Sequence, residues 1–210
     1  MKERKIIETF NTLYNELEEE FNNGLITVVG STLNHITGFK EKEDDTGDID
    51  LLVNTEAGEL ALIKAARYLG TDVKVIYEPN MNYRGLKIWF DEDKGLVEIF
   101  RIDPKKGVYG DIVYKGKTYS MYIERMEDQL DELFNILLVT VNKLTSALEQ
   151  AETNKSDKLE RITTGLKWKV EKHLNTIQYH IDRAEFDITE LCNYWSYVES
   201  KQRFEALELP

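Results

Sequence analysis

Cysteine is nearly absent: Cys192 is the single one in 210 residues, so no internal disulfide can form. The opening MKERKIIETF lacks the apolar core of a secretory signal, and no run approaches the ~18 apolar residues of a membrane span. Repeats and low-complexity tracts are missing too. Positive charge is scarce, with 27 Lys and Arg against 39 Asp and Glu and a formal net charge of −12. That balance argues against a broad footprint on nucleic acid, which needs a basic face. It still allows a small nucleotide or RNA-end site, because a bound metal supplies local positive charge. Together these absences predict a soluble, reduced, cytoplasmic protein with no membrane association and no extended nucleic-acid surface.

What is present is an ordinary globular composition, 41% hydrophobic and 31% charged, in a chain long enough for one large domain or two small ones. Ile6, Phe10, Leu13, Tyr14, Leu17 and Phe21 recur at helical spacing, predicting an amphipathic helix over 3–22 that Asn22-Asn23-Gly24 stops. Strands are expected over 25–29, 48–53 and 72–77, with a buried helix over 56–69 between the second and third. Two hairpins follow, 86–90 with 96–102 and 111–114 with 117–121, the latter turning at Lys115-Gly116. Near Tyr122 the periodicity changes. Leu130, Leu133, Phe134, Leu137, Leu138, Val141, Leu144 and Leu148 trace one helical stripe, a second helix carries Leu159 to Ile181, and a third spans 186–204. Trp168, His173, His180 and Trp195 have spacings that fit helix seams. The expected organisation is an α/β core over 1–121 and a helical domain over 122–210.

The stretch from Leu25 to Val53 carries the chemistry. An apolar run ends in Gly30-Ser31, and a second apolar run opens with Asp48-Ile49-Asp50. Residues two apart on a strand share a face, so the two carboxylates would project side by side. They repel unless a cation lies between them. Oxygen-only ligands suit Mg²⁺, which takes one or two carboxylates and fills its remaining positions with water and substrate phosphates. Gly30 permits close backbone approach, and Ser31 offers a hydroxyl and N–H groups to an anion.

Apolar-Gly-Ser followed by Asp-x-Asp on the next strand resembles the signature of the polymerase-β-like nucleotidyltransferase superfamily. The likeness covers roughly residues 20–120 and rests on Gly30-Ser31 and Asp48-Ile49-Asp50. It implies an α+β fold, with a small mixed, mostly antiparallel sheet, flanking helices and an all-helical C-terminal region. It also implies two-metal transfer of a nucleotidyl group from a nucleoside triphosphate to a hydroxyl, using two Mg²⁺ and a third carboxylate on a later strand. Gly30 and Ser31 would bind the nucleotide, and Asp48, Asp50 and the third acid would be both catalytic and metal-binding. The acceptor is left open among a small molecule, an RNA end and a protein. Several positions differ from the common pattern. Thr32, Leu33, Asn34 and His35 follow the Gly-Ser pair, the loop to the aspartates is longer, and triphosphate charge falls to the metals and to Lys40 or Lys42.

Glu98, in LVEIFRID, shares a face with Leu96 and Phe100 and is the third acid by this argument. A carboxylate among apolar neighbours is costly to bury unpaired, and a metal or catalytic role explains it. Asp103 is the runner-up. Plainer readings stand beside these: Glu98 paired with Lys87 across the hairpin, Gly30-Ser31 as an ordinary helix start, and Tyr114, Tyr119 and Tyr122 as sheet cover. The alternative at the level of the whole chain is a catalytically weak or inactive protein of the same fold. Its C-terminal helices would bind a protein partner or a second copy as a homodimer.

Overall fold

In the computed structural model the described residues are 6–37, 49–53, 56–68, 75–78, 84–89, 96–101, 107–114, 116–154 and 156–208. The chain divides into two compact units, Met1–Arg125 and Met126–Pro210. The division falls a little beyond the change of periodicity near Tyr122, because the last strand of the first unit continues to Glu124.

The fold is α+β. Among the described residues, seven strands form one mixed, mostly antiparallel sheet: β1 (Ile26–Val28), β2 (Ile49–Val53), β3 (Val75–Glu78), β4 (Arg84–Trp89), β5 (Leu96–Arg101), β6 (Gly107–Tyr114) and β7 (Lys117–Glu124), in the order β3-β4-β5-β2-β1-β7-β6. Among the described residues, β1 with β7 and β2 with β5 run parallel and the other pairs antiparallel. The β6–β7 hairpin turns at Gly116, whose φ of +79° is backbone that a side chain disfavours.

Helices α1 (Ile6–Glu16), α2 (Glu18–Asn22), α3 (Gly30–Ile36) and α4 (Glu56–Tyr68) flank the sheet. The single helix expected over 3–22 is interrupted at Leu17, where a new helix starts on Glu18-Glu19-Glu20, acids that suit a helix N-terminus. The kink lets Tyr14 and Phe21 close on one another with ring centroids 5.4 Å apart. The Tyr14 hydroxyl also donates to Ser120 O (3.2 Å) and accepts from Ser120 N (3.0 Å), tying α1 to β7. Helix α4 is buried on one side only: Leu62 and Ala65 enter the core, while Leu60 is exposed, so it is amphipathic rather than enclosed.

The core of this unit lies against one face of the sheet. Ile26, Val28, Ile49, Leu51, Val53, Tyr119 and Met121 point into it and meet Phe10, Leu13 and Phe21 from the helices and Leu33 and Ile36 from α3. Tyr119 is thus a core side chain, hydrogen-bonded through its hydroxyl to Asn11.

The second unit is all helical, with α5 (Met126–Thr153), α6 (Asp157–Ile181) and α7 (Tyr194–Glu208). Leu130, Phe134, Leu137, Val141 and Leu144 supply the α5 stripe and meet Val170, Ile177, Tyr197 and Phe204. Phe134 stacks on Tyr197 at 4.6 Å. The last helix begins at Tyr194 rather than near Phe186. Asp187 instead starts a 3-10 turn, accepting from Thr189 N (2.9 Å), and Asp131 of α5 accepts from Asn193 N (2.7 Å) just before α7. Trp168 and Trp195, expected in seams, are 59% and 72% exposed. Each lies two positions from a buried residue, Val170 or Tyr197, which at ~100° per residue points it away from the seam.

Candidate active site

Alternation along β2 sets the site. Ile49, Leu51 and Val53 are fully buried on the core face, which turns Asp50 and Leu52 to the opposite, half-exposed face. An acid inside an apolar strand is tolerated here because it shares the exposed side.

Asp50 lies beside the point where β1 turns into α3. Val29 N donates to Asp50 O (3.2 Å), continuing the antiparallel register of Val28 with Leu51. Gly30 follows with φ +58°, and a Cβ built there would stand 2.6 Å from Asp50 Oδ2. The carboxylate therefore rests against bare backbone, and glycine is required both by the dihedral and by the space. Thr32, only 2% exposed, reaches back from α3 and accepts from Asp50 N (3.2 Å).

The neighbour of Asp50 on the other side is Glu98. Strands β2 and β5 run parallel with Asp50 opposite Glu98, and partners in register lie on the same face about 4.8 Å apart. Across the next ladder Glu98 is opposite Lys87. In register, Lys87, Glu98 and Asp50 stand opposite one another along three adjacent strands, and Asp50 lies next to the Gly30 turn.

The pairing of β2 with β5 joins acids 48 positions apart in the chain, 98 against 50. Ser31 lies in the first turn of α3, one residue after Gly30, and His35 lies on the same helix. Asp48, Lys40, Lys42 and Asp103 fall outside the described residues. Glu98 is described by its strand position. Thr32 was not singled out by spacing or composition; its signal is a β-branched hydroxyl two residues after a turn glycine, which many helix starts share.

A carboxylate such as that of Asp50 is an oxygen donor of the kind a hard cation takes, and Glu98 is its partner in strand register. Among the described residues no cluster of three or more His, Cys, Asp and Glu side chains is gathered as a metal site. Nor, among them, is any helix long and apolar enough to cross a membrane. Compared with protein-family models and with curated proteins, the chain matches none.

Proposed function

We propose that the protein is a Mg²⁺-dependent nucleotidyltransferase, moving a nucleoside monophosphate from a nucleoside triphosphate to an acceptor hydroxyl. The observation that supports this reading is the strand register of Asp50 with Glu98, together with the close approach of Asp50 to the Gly30 turn. In the scheme, Asp48, Asp50 and Glu98 hold Mg²⁺, which would neutralise phosphate charge and polarise the α-phosphoryl group. Gly30 and Ser31 receive the triphosphate. Glu98 takes the proton of the acceptor hydroxyl as its oxygen bonds to the α-phosphorus, and pyrophosphate leaves in line. Such a reaction belongs in the cytoplasm, where nucleoside triphosphates are supplied. The acceptor hydroxyl belongs to a small molecule, an RNA end or a protein.

Calorimetric titration of ATP, GTP, CTP and UTP with Mg²⁺ tests the site. At least one nucleotide should bind wild type in a metal-dependent manner, and Asp50→Asn should weaken that binding by roughly tenfold or more, about 1.4 kcal/mol. Absence of binding by all four would favour the second reading, a binding module acting through its C-terminal helices. That role draws support from Trp168 and Trp195, large apolar side chains displayed on the helical unit.

A further inference from the structure

The hydrogen bond from Asp50 N to Thr32 interrupts a ladder in a specific way. Val29 and Asp50 stand opposite one another, and Val29 N donates to Asp50 O. In an antiparallel pair of this kind the two residues normally exchange both N–H···O bonds. Here the second bond is not made to Val29 O. That carbonyl instead accepts from Leu33 N (3.3 Å), because the chain has already turned into α3. The Thr32 hydroxyl takes its place, accepting from Asp50 N at 3.2 Å from a nearly inaccessible position.

From this geometry we infer that Thr32 is a positioning residue for the Asp50 carboxylate. It fixes the Asp50 backbone to α3 while Gly30, two residues earlier on the same turn, lies against Oδ2. One side of Asp50 is therefore set by a hydroxyl behind its main chain and the other by a missing Cβ in front of its carboxylate. Groups that orient a metal-binding side chain without touching the ion govern its affinity, and losing one commonly costs 10–100-fold. The inference rests on the proposed reading of Asp50 as a cation ligand.

The test is Mn²⁺ titration, followed by electron paramagnetic resonance, of wild type, Thr32→Val and Thr32→Ser, with thermal unfolding of each. Mn²⁺ serves as a paramagnetic stand-in for Mg²⁺. Thr32→Val should weaken Mn²⁺ binding roughly tenfold at a temperature well below its unfolding transition, and Thr32→Ser should restore most of it. A Thr32→Val protein that unfolds earlier yet binds Mn²⁺ like wild type would overturn the inference and leave the site reading intact. Wild type that binds no Mn²⁺ would overturn the site reading and the inference with it. If Thr32→Val does not fold, Thr32→Ala takes its place. Loss of fold in both, with Thr32→Ser folded, would assign the hydroxyl to folding alone and also overturn the positioning role.

Discussion

At Gly30 two constraints coincide, and they have different consequences when broken. A φ of +58° disfavours any residue with a Cβ by about 1–2 kcal/mol, whatever surrounds it. The 2.6 Å approach to Asp50 Oδ2 adds a displacement of the carboxylate itself. Gly30→Ala should therefore lower stability by about 1–2 kcal/mol and also weaken metal-dependent nucleotide binding at least several-fold. Denaturant midpoints and calorimetric titration read the two effects separately. A variant that is merely less stable, with unaltered nucleotide affinity, would count against a carboxylate working at this point. The importance of Gly30 was legible in the chain, since Gly-Ser after an apolar run marks a backbone that must come close to something. What it approaches was not, because the Asp50 side chain arrives from a strand that starts nearly twenty residues later, after a stretch of sequence with no periodic signal.

Among the elements, the strands were the more legible. A strand was expected over 48–53, and in β2 Ile49, Leu51 and Val53 are buried on one side with Asp50 on the other, as alternation requires. The parallel pairing of β2 with β5 is a long-range choice that no local pattern encodes, although it is what brings Asp50 and Glu98 into register. The helices were legible in their stripes and less so in their ends. Ser156 starts α6 by accepting from Leu159 N, but α7 begins late because Asp187 and Asn193 find other hydrogen-bond partners first. Trp168 and Trp195 show that a large apolar side chain on a helix need not belong to its seam.

Helix α6 also carries a titration of its own. Burial, with Lys172 and Lys169 nearby, pushes His173 down to about 4, and burial with Arg183 also lowers His180. Between the ordinary histidine value near 6.5 and about 4, the unfolded chain binds protons that the folded helix does not. Stability of the helical unit should accordingly be full above pH 6.5 and decline as the pH falls towards 4, with no further loss from His173 below that. Urea unfolding followed by helical circular dichroism checks this. His173→Gln should lose less stability than wild type between pH 7 and pH 4.5, and parallel pH curves for the two proteins would contradict the assignment. His180, still present in the variant, accounts for part of the remaining slope.

For the whole molecule, charge and architecture point to a division of labour. A chain of net charge −12 repels a triphosphate, so any affinity for one has to be confined to a small site and has to depend on a divalent cation. In the proposed reading that site would lie at Asp50, on the half-exposed side of β2, while the other side of the strand faces the core. The helical unit has its own core and presents exposed tryptophans. Under the proposed function, the α/β unit would carry the phosphate chemistry and the helical unit a recognition surface. The most direct measurement is label transfer: the protein, Mg²⁺ and a cell extract as acceptor source, incubated with nucleoside triphosphates labelled at either the α- or the γ-phosphate. The account predicts that the α-label becomes attached to an acceptor and the γ-label leaves as pyrophosphate, both abolished by Asp50→Asn and by Glu98→Gln. Attachment of the γ-label, no attachment of either, or α-transfer that survives both substitutions would contradict it.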